Sequence, residues 1–505
     1  MDQLATALGH FASLEVILMM LTGVIAGLAI GVVPGLGGLA TLALMLPFAY
    51  SLDTFPALGL ILGAYSALYF GGSISAILFN TPGTGEQVIT TFDGYPMTKR
   101  GEGPRALGAS ATASAIGGLI GAALLLVAAP LFKTIIVYIR PPEMFALALL
   151  GVATIGVVGA SSITKGLLSG LLGLLLSFVG YDPITAVPRF TGGAITLFDG
   201  ISVTGLTLGL FAVSEMMFLM SRGQSIAERG GQTAMGVSVA RGMLQGIGDA
   251  LRNFRTILEG GFIGAFVGML PGMGGTVAMI FSYARARQRS TDPASFGTGN
   301  VVGVIAPEAA NNAKEGGSFV PTVAFGIPGS SGMAIFIGIF LILGIEPGPT
   351  MLTTNLHVTY FVAIAIAATS VIASIVGLPL ATIFARAAYM SVMVLGPVLI
   401  AISFAGAYLD TQNMTILAVV ALSGFLGFWL RSMGYSCAGI ILGFVMGPLV
   451  ERYLSLSLQA YGSDFVFRPI VIVVLLATLW IVLEPYRRSW SLKTILMRAI
   501  ERWRA

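Results

Sequence analysis

The chain has 505 residues, of which 56% are apolar and only 10% are charged, and its formal net charge is +4. Soluble domains carry about 25% charged residues, so this composition excludes a soluble protein and predicts an all-α polytopic membrane protein. One cysteine and two histidines exclude a disulfide framework and disfavour a His/Cys metal site. Much of the positive charge follows Tyr486, where it fits anchoring against anionic lipid and suggests no nucleic-acid partner.

Apolar windows separated by glycine, proline or charged residues predict about 10–14 membrane segments, some of them half-length or re-entrant. In chain order the predicted segments are 13–33, 56–80, 106–131, 143–160, 164–180, 202–221, 257–270, 301–325, 330–345, 357–380, 391–408, 413–430, 436–452 and 470–484. We expect a first membrane half over 1–221, an amphipathic cytoplasmic linker over 222–256, a second membrane half over 257–485 and a basic cytoplasmic tail over 486–505.

Two glycine-rich motifs repeat across these halves. GVVPGLGG begins at Gly31 and GMLPGMGG begins at Gly268, which is 237 residues later. A second pair of blocks follows, GGSISAILFNTPGT over 71–84 and GGSFVPTVAFGIPGS over 316–330, and these align with a slip of one residue. Neither glycine motif has the strand context or the Gly-Lys-Ser/Thr ending of a nucleotide-binding loop. The repetition predicts an internal duplication.

Basic residues predict that the two halves have opposite orientations. No lysine or arginine precedes or closely follows the first glycine motif, whereas the second lies between the arginines of 222–255 and the RARQR segment at 285–289. The T-P-G block of the first half is followed by Lys99 and Arg100, and the corresponding block of the second half has no basic residue after it until Arg386. The positive-inside rule then predicts inverted repeats with the N-terminus outside, an architecture typical of secondary transporters.

Glycine and proline within a membrane segment free backbone groups that hydrocarbon cannot satisfy, so we interpret both pairs of motifs as helix breaks lining a polar cavity. Helix N-termini at these breaks would direct N–H groups at an anion. The predicted substrate-binding residues are Pro34, Gly35, Gly37, Gly38, Asn80, Thr81, Pro82, Gly83, Thr84, Pro271, Gly272, Gly274, Gly275, Asn311, Asn312, Pro328, Gly329 and Ser330. Ser73, Ser75 and Ser318 are expected to line the same cavity.

Two structural alternatives remain open for these motifs: the glycines form a helix-packing face, and the polar side chains cap the broken helix ends. Freed carbonyls and the side chains of Asn80, Thr84, Ser330 and Ser331 could instead coordinate a sodium ion. We expect no organic cofactor, and the coupling ion would be sodium or a proton.

The segment VIAPEAANNAKEGGS, over 304–318, places charged residues in an otherwise apolar region, where ionisable groups are costly and commonly functional. Glu308, Asn311 and Asn312 share one helical face. Lys314 could pair with Glu308 or Glu315, or bind a substrate carboxylate; these charges are therefore either ion-coupling or structural. Glu215, Asp182 and Arg189 are expected to be structural or interfacial.

No catalytic motif is found, so we predict that the protein is not an enzyme; a passive organic-anion channel or exporter and, less favoured, an intramembrane enzyme remain the alternatives to a symporter. The motifs PGLGG, YFGGSISAILFNTPGT, DGYP, RFTGG, APEAANNAKEGG and FGIPGS together resemble the large membrane subunit of the tripartite tricarboxylate transporters, over roughly residues 15–485. The resemblance implies a multi-pass protein of the bacterial inner membrane that takes up small carboxylates such as citrate by symport. It also implies a small four-span membrane subunit and a periplasmic substrate-binding protein.

Overall fold

The computed structural model describes residues 2–33, 37–136, 138–157, 162–182, 187–221, 239–270, 274–387 and 392–489. These residues form an α-helical membrane protein whose predicted segments each correspond to a helix. The helices of the first half are α1 (Asp2–Phe11), α2 (Leu14–Gly31), α3 (Gly37–Ala49), α4 (Thr54–Phe79), α5 (Val88–Lys99), α6 (Gly103–Ile136), α7 (Pro141–Val157), α8 (Ile163–Ser177), α9 (Val203–Thr207) and α10 (Ser214–Ser221). A π-helical turn over Leu208–Val213 joins the last two, and strands β1 (Gly180–Tyr181) and β2 (Pro188–Arg189) pair antiparallel, with Gly180 opposite Arg189.

The remaining helices lie between residues 239 and 489. They are α11 (Val239–Arg252), α12 (Phe254–Gly268), α13 (Gly274–Arg289), α14 (Val302–Phe325), α15 (Ser331–Ile342), α16 (Pro349–Leu352), α17 (Leu356–Ala387), α18 (Val392–Thr411), α19 (Thr415–Ser432), α20 (Cys437–Tyr461) and α21 (Pro469–Ser489). Seven of the described helical stretches are long and apolar enough to cross a membrane. Shorter apolar helices, among them α3 and α15, are the half-length elements that the sequence predicts.

The chain divides into two compact units. One unit comprises Met1–Ile136 and Ser202–Trp429, and the other comprises Val137–Ile201 and Leu430–Ala505. The division cuts across the predicted repeat halves, because each unit contains helices of both halves. The predicted boundaries of the two halves, the linker and the tail therefore stay predictions. Residues 222–238 and 490–505 lie outside the described part of the chain.

Glycines set the helix packing of the first unit. On α2, three glycines spaced four residues apart contact the α4 backbone, pairing Gly23 with Leu60, Gly27 with Ala64 and Gly31 with Leu68. On α12 the equivalent pairs are Gly260 with Ala306, Gly264 with Ala310 and Gly268 with Lys314. Small residues let helix backbones approach closely where lipid offers no hydrophobic driving force. The predicted packing role of this glycine stripe is therefore present in both halves.

The same contacts give the helix directions and show the inversion. Residue numbers rise together from α2 to α4 and from α12 to α14, so each of these pairs is parallel. Between α6 and α14 they also rise together, from Gly117 opposite Ala309 to Gly121 opposite Ala313. Between α4 and α14 they run in opposite directions: Ser73 reaches Glu308, whereas Tyr69 lies beside Lys314. Matching helices of the two halves therefore point in opposite directions, as inverted repeats require.

The structure corrects the alignment of the second repeated block. Gly71 contacts the backbone of Leu28, and Gly317 makes the matching contact with Ala265. The equivalent residues of α4 and α14 are thus 246 positions apart throughout, and no slip of one residue is needed. The G-G-S triplets misled the sequence alignment because they look alike, whereas contact with the preceding glycine helix determines the true register.

Replacing Gly264 with alanine is expected to destabilise the first unit, because the added Cβ would lie 2.6 Å from the Cα of Ala310 and backbone would have to move. Overpacking of this kind costs about 1–3 kcal/mol. Gly248→Ala is the matched control, since its Cβ would meet nothing within 4 Å. Thermal unfolding of the purified protein in detergent checks this: Gly264→Ala should lower the midpoint and Gly248→Ala should not. Equal midpoints would contradict the packing argument.

Candidate functional site

Each half contains two helix breaks, and a short helix begins after each break. Helices α3 and α13 begin at Gly37 and Gly274, the seventh residue of each glycine motif. Helix α15 begins at Ser331, directly after its proline-glycine block, and α5 begins at Val88, shortly after its block ends at Thr84. The first backbone N–H groups of a helix have no partner within it and carry the positive end of the helix dipole. The four breaks thus supply four such N-termini.

The second break of each half begins with a residue in the left-handed conformation. Asn80 has φ 56° at the end of α4, and Gly326 has φ 66° at the end of α14. Only glycine and asparagine adopt this conformation readily, so Asn80 ends its helix as Gly326 does. The Asn80 side chain is exposed, and Asn80 shapes the break through its backbone conformation. Its predicted role in binding substrate or sodium stays a prediction.

The two breaks of each half lie against each other. Gly83 contacts the Gly31 carbonyl group at the end of α2, and a Cβ on Gly83 would lie 2.5 Å from the Cα of Gly72. In the second half, a Cβ on Gly329 would lie 3.0 Å from the carbonyl oxygen of Gly268 at the end of α12. The proline-glycine loops therefore pack on the helices that precede the glycine motifs. Pro34, Gly35, Pro271 and Gly272 lie outside the described residues.

Helix α14 carries the charged residues of the site. Lys314 is almost fully buried, and its Nζ lies 2.5 Å from Glu86 Oε1 and 2.9 Å from Glu315 Oε1. The same ammonium lies 4.8 Å from the centre of the Tyr69 ring. Gly275, at the start of α13, contacts both Lys314 Nζ and the Glu86 carboxylate. One N-terminus is therefore directly beside a buried group of one cation and two carboxylates.

Glu308 occupies a separate place one and a half turns earlier on α14. Ser73 Oγ lies 2.8 Å from both carboxylate oxygens. Three further hydroxyls contact the same carboxylate: Thr90 at 2.5 Å, Ser110 at 2.9 Å and Ser114 at 3.1 Å. The predicted alternative that Lys314 pairs with Glu308 is therefore wrong. Six residues of helix separate the two side chains by about 9 Å along the axis and direct them to different neighbours.

Polar atoms without a hydrogen-bond partner are concentrated on α14 and at the proline-glycine breaks. Buried polar atoms in proteins nearly always have hydrogen-bond partners, so each exception calls for an explanation. The buried side-chain atoms without a hydrogen-bond partner in this region are Thr81 Oγ1, Glu86 Oε2, Asn311 Oδ1 and Nδ2, Asn312 Oδ1, Glu315 Oε1 and Oε2, Ser318 Oγ and Ser330 Oγ. The Glu315 Oε1 atom still has its ion pair with Lys314. This set overlaps the predicted substrate-binding residues, and it fits a polar ligand site.

Other predicted polar residues are satisfied locally. Thr84 contacts Gln87 Oε1 through its hydroxyl and donates to the same oxygen from its backbone N–H, at 2.8 Å. Ser75 donates to the Gly72 carbonyl oxygen at 3.0 Å. These contacts match the structural alternative, in which side chains stabilise a helix break. Ser330 differs, because its buried hydroxyl has no hydrogen-bond partner; its role and that of Ser331 in binding sodium stay predictions.

Sequence reasoning missed several residues of the site. Glu86 lies two residues after the first T-P-G block, so its position beside a predicted helix break could have identified it, because a carboxylate is costly to bury there. Two tyrosines, Tyr65 and Tyr69, stack edge to face at 5.4 Å between the N-termini: Tyr65 contacts Gly332, and the Tyr69 hydroxyl would lie 3.7 Å from a Cβ on Gly38. Their spacing in the sequence does not distinguish them from aromatic residues of a hydrophobic core.

Asp93 binds the loop that precedes α14, and the sequence did not predict a role for it. Its Oδ1 accepts hydrogen bonds from the backbone N–H groups of Gly297, Gly299 and Asn300 at 2.8–2.9 Å. Its Oδ2 accepts from the Tyr283 hydroxyl at 2.8 Å. Four donors satisfy this buried carboxylate, so Asp93 fixes the loop before α14 and with it the helix that carries the charged residues.

The isolated charges of the second unit form structural ion pairs. Arg189 Nη1 lies 3.0 Å from Asp182 and 2.5 Å from Glu451. Arg468 Nε lies 2.6 Å from Glu143, whose side chain is nearly buried. The structural role expected for Asp182 and Arg189 fits these contacts. In the described part of the chain, no group of three or more His, Cys, Asp or Glu side chains could hold a metal ion.

The family model for the tripartite tricarboxylate transporter TctA family matches residues 17–442. The chain belongs to this family. It is therefore a membrane component of a tricarboxylate transport system, and the family description itself implies partner proteins. The match includes residues of both predicted repeat halves and every helix break, so the site described above lies wholly within the matched residues.

Two curated relatives come from Agrobacterium vitis. An uncharacterized 52.8 kDa protein in the TAR-I ttuC' 3'region is 33% identical over 473 residues, which cover 92% of this chain and 93% of the relative. An uncharacterized protein in the TAR-II ttuC' 3'region is 33% identical over 210 residues, which cover 41% of this chain and 87% of that relative. No solved structure gives a significant match.

Proposed function

We propose that this TctA-family chain is the large membrane subunit of an ion-gradient-driven symporter for small organic carboxylates such as citrate. The observation that carries the proposal is the set of unpartnered buried polar atoms on α14 and at the proline-glycine breaks of the two repeats. Helix N-termini bind anions, and transporters with inverted repeats commonly bind substrate at such broken helices.

The charges of the site favour symport over a passive channel. Lys314 carries one positive charge, and its neighbours Glu86 and Glu315 carry two negative charges when ionised. An organic anion is repelled by the net negative charge of this region unless bound cations lower it, because like charges in a low-dielectric site repel strongly. Cotransport of protons or sodium with the carboxylate would supply that neutralisation. Binding of substrate would then depend on binding of the coupling ion.

Glu86 occupies the position at Lys314 that a substrate carboxylate would take. Its carboxylate lies at the N-terminus of α13, beside Gly275 and Lys314, where a substrate carboxylate would also be bound. We infer that substrate displaces Glu86 from Lys314 and takes its place, with Asn311, Asn312 and Ser330 donating or accepting further hydrogen bonds. Glu86 belongs to the first half and Lys314 to the second, so this exchange would couple the halves during alternating access.

We further propose the cellular setting that follows from such a system. The chain would lie in the bacterial inner membrane with its N-terminus in the periplasm and its C-terminus in the cytoplasm, as the distribution of lysine and arginine indicates. Its partners would be a small four-span membrane subunit and a periplasmic substrate-binding protein that delivers the carboxylate. No organic cofactor is expected, and the transported ion is the only additional ligand.

Uptake of labelled citrate into proteoliposomes tests the proposal. The chain is reconstituted with its small membrane subunit, and the binding protein is added outside. Citrate should accumulate only while a proton or sodium gradient is imposed, and ionophores that dissipate both gradients should stop accumulation. Flux that ignores every gradient would indicate a channel instead. Equal uptake without the binding protein would contradict the proposed partnership, and conversion of citrate to another compound would indicate an enzyme.

A further inference from the structure

Glu308 is a buried carboxylate without a cationic partner. Its side chain is fully buried, and within the described residues it contacts hydroxyl groups only. The hydroxyls come from three helices of the first half: Ser73 from α4, Thr90 from α5, and Ser110 and Ser114 from α6. Burying an ionised carboxylate without a counter-charge costs several kcal/mol even after partial compensation. Such a group is neutralised either by a proton or by an added cation.

The hydroxyl groups around Glu308 suit a carboxyl that changes its protonation state. When the carboxylate is ionised, all four hydroxyls can donate to it. Ser73 Oγ also lies 3.0 Å from the Tyr69 carbonyl oxygen, and a hydroxyl has only one proton to donate. A protonated Glu308 can therefore donate to Ser73, which then donates to Tyr69. Both states are fully hydrogen-bonded, so neither leaves a buried group unsatisfied.

Neighbouring charged groups already have partners. Along α14, Lys314 and Glu315 pair with each other, and Glu86, on the loop before α5, also pairs with Lys314. Further along α5, Asp93 accepts from three backbone N–H groups and from Tyr283 of α13. At the start of α6, Arg105 pairs with Glu102 and with Asp249 of α11. The tyrosines of α4, Tyr65 and Tyr69, are neutral side chains. None of these groups supplies Glu308 with a positive charge.

We propose that Glu308 is the proton-binding group of this transporter, spatially separate from the carboxylate-binding residues around Lys314. This inference rests on the proposed function, because it names the coupling ion and its site. A proton fits better than a sodium ion, since the hydroxyls approach the carboxylate at 2.5–3.1 Å and direct their hydrogens toward it. Their lone pairs therefore do not converge on a cation. The donors belong to one half and Glu308 to the other, so movement between the halves would alter proton affinity.

Glu308→Gln tests the assignment, because glutamine resembles the protonated carboxyl and cannot release a proton. In proteoliposomes the variant should lose citrate accumulation driven by a pH gradient, by at least about tenfold. It should retain gradient-free exchange of internal for external citrate, and that exchange should no longer vary with pH. Glu259→Gln is the matched control, because Glu259 is partly exposed and pairs with Arg255 and Arg285. Accumulation by Glu308→Gln under a pH gradient would overturn the proposal.

Infrared spectroscopy gives a readout that does not depend on transport. The pH-difference spectrum of the purified chain should contain a protonated-carboxyl C=O band that Glu308→Gln lacks. Ser114→Ala removes a hydrogen bond to Glu308 and should shift that band, whereas Ser75→Ala should not, because Ser75 donates to Gly72. If the wild type transports no citrate, the proposed function fails while the band still tests Glu308. If uptake is proton-driven but no band responds to Glu308→Gln or to Ser114→Ala, the assignment to Glu308 is wrong.

Discussion

Replacing Lys314 with methionine is expected to reduce citrate uptake to background and to destabilise the protein. Methionine fills a similar volume but leaves the buried Glu315 and the partly buried Glu86 without the ammonium that both contact. Removing one partner of a buried ion pair costs about 3–5 kcal/mol, because the remaining charge keeps its desolvation penalty. Uptake should fall further than stability alone explains, since Lys314 is also the proposed partner of the substrate carboxylate. Uptake and thermal unfolding measured on the same preparation check both effects.

A neutral version of the cluster separates the two roles of Lys314. The triple substitution Lys314→Met, Glu86→Gln and Glu315→Gln removes every charge of the group, so no buried charge is left without its partner. We expect the triple variant to recover most of the unfolding midpoint and none of the uptake. Recovery of uptake would show that Lys314 serves only in a structural ion pair, which is the alternative that the sequence left open. Lys165→Met is the control, because Lys165 is only partly buried and donates to the Met433 carbonyl group.

Most of the helical architecture could be predicted from the sequence, because hydrocarbon imposes strict rules on the backbone. A helix such as α4 needs a long apolar run, and the glycine and proline residues that end it are costly anywhere except beside a cavity. The inversion was also predictable, since basic residues mark one side of the membrane. Helices α4 and α14 are antiparallel, since Ser73 contacts Glu308 and Tyr69 contacts Lys314, and this agrees with the prediction.

The partners of the charged residues could not be predicted in the same way. Local spacing suggested that Lys314 pairs within its own helix, and its pairing with Glu315 follows that logic. Its contact with Glu86 joins residues 228 positions apart, and only the packing of the two halves brings them together. The hydroxyl partners of Glu308 have the same origin. Serine and threonine residues are common in membrane helices, so their sequence positions alone do not identify them as ligands of a carboxylate.

Alanine at the two equivalent tip glycines should have unequal effects, although the sequence motifs look alike. Gly38 and Gly275 occupy the same place in the two repeats. A Cβ on Gly38 would lie 3.5–3.7 Å from the Tyr65, Leu68 and Tyr69 side chains, which is ordinary van der Waals contact. A Cβ on Gly275 would collide with Lys314 Nζ and with the Glu86 carboxylate. We expect Gly38→Ala to transport citrate nearly as well as the wild type.

Gly275→Ala should fold normally and transport poorly. The atoms that its Cβ meets are the ends of two flexible side chains, so they can move without displacing a helix, and thermal unfolding should change little. Their movement would pull the Lys314 and Glu86 charges away from the start of α13, where the substrate carboxylate is proposed to bind. Displacing a catalytic or binding group by about 1 Å can cost about 100-fold in rate. Initial rates of citrate uptake at equal membrane content decide the matter: similar rates for Gly38→Ala and Gly275→Ala would show that the charged cluster does not act at this tip.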